Sequence, residues 1–211
     1  MDNTAIRPKT SGEAHVTHGA HEMRSSPRIA LLIRAAKLVS AEGEYVCVLR
    51  DVSTDGVSLR LFHDLPPGKH FDLVLQTGRN YGIEQIWTSR HEAGFRFEAP
   101  IELDKVITEK GRFPKRGVRL ALAIPITLAT VQQRVNATVL NLSQQGARIA
   151  CDALLAIDQN VRIEGGDLGD IRAKVRWRSG TEYGLVFEDT FTLERLARLA
   201  ARLQNPTLLG Q

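Results

Sequence analysis

The chain contains itself twice. Ser53, Gly56, Trp87, Gly94, Phe97 and Glu98 recur 90 residues later as Ser143, Gly146, Trp177, Gly184, Phe187 and Glu188. Around them, Asp51-Val-Ser53-Thr-Asp55-Gly56 answers to Asn141-Leu-Ser143-Gln-Gln-Gly146. Likewise Glu92-Ala-Gly94-Phe-Arg-Phe97-Glu98 answers to Glu182-Tyr-Gly184-Leu-Val-Phe187-Glu188. A period so far above the roughly 20–50 residues of solenoid repeats means duplicated domains rather than stacked motifs. Of 211 residues in all, each copy takes roughly 85–90. A domain of that size can enclose its own core, though with little surplus stability. The division is a flexible tail over 1–22, a first domain over 23–110 and a second over 111–211.

Within each copy, short β-type runs alternate with turn residues at a spacing near ten. The first copy offers Ile29–Val39, Tyr45–Leu49, Val57–Phe62, Phe71–Gln76, Ile83–Thr88 and Gly94–Glu98. The second offers Val118–Ala129, Arg134–Leu140, Ala147–Cys151, Asn160–Glu164, Ile171–Arg178 and Tyr183–Phe187. Val57-Ser-Leu-Arg-Leu61 alternates cleanly, as a strand with one wet face should. Such spacing suggests a small antiparallel barrel or sandwich. Ile101–Lys110 is a short helix candidate that also joins the domains. Thr192–Gln204 gathers Leu193, Leu196, Leu199, Ala200 and Leu203 on one helical face and leaves Arg195, Arg198 and Arg202 off it, so a helix packed on the second domain is expected.

Several function classes drop out. Met1–Glu22 is polar and without period. Its His15, His18 and His21 have no scaffold and no completing ligand, so no metal site is expected. Cys47 and Cys151, one per domain inside strand-like runs, read as buried free thiols. No apolar run reaches membrane-spanning length and the amino terminus lacks a signal-peptide core, so a cytoplasmic protein is expected. A formal charge of +4 and a pI near 9.3 favour an anionic partner. They fall short of the dense basic face of a DNA or RNA binder. Aromatics make up 6% of residues, and Trp87 and Trp177 read as core, which argues against base stacking on an RNA-binding barrel. His63, His70 and His91 lie near turns and read as surface loop histidines. No nucleophile, carboxylate pair or phosphate loop accompanies them, so neither an enzyme nor a cofactor is expected.

What remains is a pair of motifs, present twice and in the same order. Arg24-Ser-Ser-Pro-Arg28 sets two arginines around a proline that stiffens the segment. Each guanidinium is a planar fork suited to phosphate oxygens or to the O6/N7 edge of guanine. Asp51 and Ser53, two apart at a strand end, share a face. The carboxylate accepts from guanine N1–H and N2–H₂, and the hydroxyl can reach base or phosphate. Gly56 supplies a positive φ or lets a ligand approach the backbone. In the second copy the matching residues are Arg112, Arg116, Asn141, Ser143 and Gly146. Together these groups describe a guanine nucleotide site.

Arg-x-x-x-Arg followed by Asp/Asn-x-Ser-x-x-Gly resembles the PilZ family of cyclic di-GMP receptors, over nearly all the chain outside the tail. The resemblance implies two tandem six-stranded antiparallel β-barrels, each followed by a C-terminal helix. It further implies that Arg24, Arg28, Asp51, Ser53 and Gly56 line one cyclic di-GMP site, with Arg112, Arg116, Asn141, Ser143 and Gly146 at a second. Pro27 stands directly before Arg28, as in many members of the family. In the second copy Pro114 is followed by Lys115, and a lysine presents no bidentate fork, so the first domain's site is the expected one and the second is expected to be weak or purely structural. The expected function is a cyclic di-GMP effector that turns binding into a change of domain arrangement or partner interaction. The alternative is an interaction module, with a protein partner, in which one or both nucleotide sites have degenerated.

Overall fold

Period-2 alternation governs most strands of the structure, a computed structural model that describes residues 29–107 and 117–210. In β3 (Gly56–Arg60) Val57 and Leu59 are buried while Ser58 and Arg60 are not. In its counterpart β9 (Gly146–Ala150) Ala147 and Ile149 do the same. The apolar faces are buried because each sheet closes on itself. The first domain comprises β1 (Ile29–Ser40), β2 (Gly43–Val52), β3, β4 (His70–Val74), β5 (Asn80–Ser89) and β6 (Glu92–Phe97). The second comprises β7 (Arg119–Ala129), β8 (Arg134–Ser143), β9, β10 (Asn160–Glu164), β11 (Ile171–Ser179) and β12 (Glu182–Phe187). Each set forms a closed antiparallel barrel of the same order, β1-β2-β3-β6-β5-β4 and β7-β8-β9-β12-β11-β10. Leu38, Cys47, Leu49, Leu59, Leu73 and Ile83 fill the first core. Leu128, Val139, Ile149, Ile163 and Leu185 fill the second. Both cysteines are buried and free, and burial pushes the Cys47 thiol pKa well up.

A five-residue helix, α1 (Leu103–Ile107), follows barrel 1, where Val106 joins the core. A longer one, α2 (Leu193–Gln204), follows barrel 2, and a 3₁₀ turn at Pro206–Leu209 completes it. Thr192 caps α2, its hydroxyl accepting from the Arg195 N–H at 3.1 Å. The helix is not confined to its own barrel. Leu196, Ala197, Leu199, Ala200 and Ala201 are all buried, because α2 packs on β2 of barrel 1 as well as on barrel 2. Tyr45 clusters with Ala201 and Leu208, and Val46 belongs to the apolar cluster of the second domain. For this reason the run Tyr45–Leu49 is buried on both faces, where an outer strand of a lone barrel would alternate. Its counterpart Val135–Val139 in β8 does alternate, with Asn136 exposed.

Polar contacts lock the same interface. Gln204 Nε2 donates to the Glu44 carbonyl and Gln204 Oε1 accepts from the Glu44 N–H, each at 2.8 Å. Asn205 Nδ2 donates to Glu42 Oε2 at 2.7 Å, and the Asp64 N–H to the Leu208 carbonyl at 2.8 Å. From β7, the Ala121 N–H donates to Glu44 Oε2 at 2.6 Å.

Two expectations are overturned here. His63 is not a surface histidine: it is 1% exposed, its ring tilted against that of Tyr45 with centroids 5.1 Å apart. Its Nδ1 meets the Asp64 carbonyl at 2.7 Å, while His63 Nε2 and the Tyr45 hydroxyl, both buried, have no partner among the described residues. Burial holds the His63 pKa below the ordinary histidine value. The backbone carbonyl and charge of Asp64 oppose the shift, and His91 and Arg198 reinforce it. Trp87 and Trp177 are not core either. They are 39% and 42% exposed, on the outer faces of their barrels.

Candidate functional site

The turn after β2 is built by Ser53 and Gly56. The Ser53 N–H donates to the Gly56 carbonyl at 2.8 Å, and the Gly56 N–H donates to Ser53 Oγ at 3.1 Å. Ser53 is itself buried, so its hydroxyl serves the hairpin. Ser143 repeats the role, donating to the Gly146 carbonyl at 3.0 Å. Neither glycine has a positive φ. Their necessity is steric: a Cβ on Gly56 would lie 2.7 Å from the Phe95 carbonyl oxygen, and one on Gly146 would lie 2.1 Å from that of Leu185. The sequence offered a positive φ or a ligand's approach as the reason for glycine. The close neighbour in both cases is instead the backbone of the adjacent strand.

Beside that turn the two barrels diverge. In barrel 1 Asp51 Oδ2 accepts from Ser58 Oγ at 2.9 Å, so the carboxylate is engaged within the sheet. In barrel 2 the Ser58 position is Arg148, bound through its guanidinium to Glu182 Oε2 with Nε at 2.9 Å. Asn141 stands where Asp51 does, half-buried, and its amide has no hydrogen-bond partner among the described residues. Ile86, 58% exposed in barrel 1, is matched by Arg176, whose Nη1 lies 3.0 Å from Asp158 Oδ1.

Barrel 2 carries a cleft of about 480 Å³ at this position, within the roughly 300–1,000 Å³ typical of small-molecule sites. Asn141, Ser143 and Gly146 line it together with Arg119, Arg148, Arg176 and Trp177. Three guanidiniums and one indole thus surround an amide that has no partner among the described residues. The Trp177 ring lies over Gly184 of the next strand, so closely that a Cβ there would sit 1.9 Å from Nε1. Trp87 covers Gly94 in the same way. A register shift between Val175 and Trp177, and its equivalent between Gln85 and Trp87, turns each ring outward onto that glycine. Composition and strand pattern hid this, since a tryptophan in an apolar strand reads as core. The recurring Trp-to-Gly spacing was the signal that could have revealed it.

Arg24, Arg28, Arg112 and Arg116 lie outside the described residues, as does the 1–22 tail with its histidines. Gly117 lines the cleft, and Arg116 is covalently joined to it, one residue away. The structure therefore brings Asn141, Ser143 and Gly146 together at one cleft, and Asp51, Ser53 and Gly56 together at the corresponding turn of barrel 1. To these it adds Arg119, Arg148, Arg176 and Trp177, which the motif reading did not name.

Comparison with curated proteins found no match. Among solved structures, similar chains include PlzA of Borreliella burgdorferi in complex with c-di-GMP, at 10% identity and a TM-score of 0.34, covering 82% of this chain and 88% of that one. MrkH of K. pneumonia in its apo state aligns at 12% identity and a TM-score of 0.32, covering 81% and 86%. YcgR of Escherichia coli in complex with c-di-GMP aligns at 14% identity and a TM-score of 0.31, covering 78% and 80%. The family model for the PilZ domain matches twice, over residues 22–108 and 112–203, one match on each barrel. The chain belongs to the PilZ domain family.

Proposed function

We propose that the protein is a cyclic di-GMP effector, with the cleft of barrel 2 as its principal site. The observation that carries this reading is the set of side chains around that cleft. Arg119 supplies a cationic fork for phosphate or the guanine O6/N7 edge, and Arg148 and Arg176, paired with Glu182 and Asp158, offer the N–H groups those pairs leave over. The Asn141 amide offers both an acceptor and donors, and Trp177 presents an exposed ring on which a base can stack. Arg112 and Arg116, just ahead of Gly117, complete the site from the arginine segment. In barrel 1 the corresponding set is Arg24, Arg28, Asp51, Ser53 and Gly56. Its Asp51 carboxylate is already hydrogen-bonded to Ser58 and an isoleucine takes the Arg176 position, which favours reading that site as degenerate.

Signal transfer is built into β7. Arg119 lines the cleft, and two residues along the same strand the Ala121 N–H is bonded to Glu44 of barrel 1. Nucleotide that draws Arg119 inward therefore pulls on the contact joining the barrels, and the output is a changed domain arrangement or partner interaction. The test is isothermal titration of cyclic di-GMP into wild type, Arg28→Ala, Arg116→Ala and Asn141→Ala. Loss of binding in Arg116→Ala and Asn141→Ala alone supports a working site in barrel 2. Loss only in Arg28→Ala moves the site to barrel 1, and no heat with any protein removes the nucleotide reading.

A further inference from the structure

Two buried polar groups lie where barrel 1 meets the second domain: the Tyr45 hydroxyl and His63 Nε2. Neither has a partner among the described residues. Their surroundings belong to both domains. Tyr45 clusters with Ala201 of α2 and Leu208 of the 3₁₀ turn. Phe62, just before His63, packs on the apolar cluster of the second domain. The Asp64 N–H, just after it, donates to the Leu208 carbonyl at 2.8 Å. The barrel fold does not require this pair. At an offset of 90 residues Val135 and Ala153 hold the same positions, and both pack against the second core. The pair also stands apart from the core cluster of barrel 1. Wetting it therefore disturbs the contact between the domains rather than the interior of either barrel.

The Asp64 carbonyl, 2.7 Å from His63 Nδ1, can only accept. Nδ1 therefore carries the proton of the neutral ring, and Nε2 is a bare lone pair. A second proton goes to Nε2 and creates a buried charge with no acceptor in place. Burial penalises that charge, His91 of the β5–β6 turn and Arg198 of α2 repel it, and only Asp64 favours it. From β2, Tyr45 presents a neutral hydroxyl, since burial and the Glu42 charge both raise its pKa. Water is the remaining partner, and it enters when the covering elements lift. We infer that His63 and Tyr45 form a proton-operated latch: protonation at His63 Nε2 frees the end of α2 and the 3₁₀ turn from barrel 1, so that the arrangement of the barrels changes while each stays folded. The bonds given up join Asp64 to Leu208, Glu44 to Gln204 and Glu42 to Asn205. With the contact closed, the ring titrates below its ordinary value; with it open, near 6.5. The open form thus takes up the proton first as pH falls below about 6.5, and acid favours it.

The experiment is residue-resolved amide hydrogen exchange of the full chain without nucleotide, so its outcome is independent of the cyclic di-GMP site. Rates are corrected for the intrinsic effect of pH. The Glu44 and Asp64 amides, bonded to Gln204 and Leu208, report on the contact, and the amides of β3 and β9 report on the barrels. The contact amides should open more often than the barrel amides at every pH. Their opening should increase about tenfold between about pH 7.5 and 5. In His63→Phe that increase should vanish. Arg198→Gln removes one of the charges that hold the His63 pKa down, from an exposed position, and should move the response to higher pH. Contact amides that exchange in step with β3 and β9 would mean that only global unfolding opens the site, and would overturn the inference. So would a response that persists in His63→Phe, or one lost in His91→Gln, which would assign the proton to that residue. If His63→Phe does not fold, Arg198→Gln decides alone, and an unshifted response there is equally fatal.

Discussion

Gln204 holds Glu44 by both of its backbone hydrogen-bonding groups. The side-chain amide donates to the carbonyl and accepts from the N–H, as a neighbouring strand would. The contact closes on Gly43, whose φ of 148° and nearness to the amide leave no room for a side chain; a Cβ would lie 2.0 Å from Gln204 Oε1. Gln204→Ala leaves two half-buried backbone groups unpaired, a cost of about 1–3 kcal/mol. Gly43→Ala adds strain and a clash. Both variants should unfold in two steps, with barrel 2 separated from barrel 1, where wild type unfolds in one. Urea titration followed by circular dichroism and tryptophan fluorescence reads the difference.

Stability should fall on mild acidification because of His63. Its pKa is lowered in the folded protein, chiefly by burial. The unfolded chain therefore binds more protons between that lowered value and about 6.5, and stability rises with pH across this window. Acidifying through 6.5 begins the loss, which is complete below the folded-state pKa. Asp64, His91 and Arg198 are the charged groups that act on the ring, and α2 brings the last of them. His63→Phe removes the titrating ring, so its unfolding free energy should change less between about pH 7.5 and 5 than that of wild type. Parallel curves for the two proteins would refute this.

The repeat and its β-period made the barrels legible in the sequence. Six runs per copy, with turns between them, leave an antiparallel closed sheet as a natural solution, and the strands lie within a few residues of their sequence positions. What stayed hidden is where the copies touch. Tyr45-Val46-Cys47 reads as a buried strand whether the second face is covered by its own barrel or by a helix 150 residues away. His63 read as a loop histidine because the groups around it, Tyr45 of β2 and Arg198 of α2, are distant in sequence. At the site, the Asp/Asn-x-Ser-x-x-Gly residues fall together as the spacing required. Arg119, Arg148 and Arg176 escaped notice because they converge through strand pairing, which no local motif records.

Ser53 and Ser143 should prove to be structural residues first. Each hydroxyl bonds the glycine three residues on, inside a buried turn. Ser53→Ala and Ser143→Ala should each lower stability by about 1–2 kcal/mol, with or without nucleotide. Chemical denaturation in the absence of ligand is the decisive measurement. Unchanged midpoints would mean the hydroxyls are held for the ligand instead.

Trp177 tests the cleft most directly. Its ring rests on Gly184 with one face open, and a stacked base is worth about 1–3 kcal/mol when the aromatic is removed. Trp177→Ala should therefore weaken cyclic di-GMP binding by about five- to over a hundredfold, whereas Trp87→Ala should matter little if barrel 1 is the degenerate copy. Gly184→Ala makes the same point without touching the indole: the added methyl occupies the seat of Nε1 and pushes the ring off the strand. Affinity should fall with Trp177 still present, and ligand-dependent quenching of its fluorescence should shrink. Full affinity in both Trp177→Ala and Gly184→Ala would exclude stacking on this ring and leave the arginines to hold the nucleotide by charge and hydrogen bonds alone.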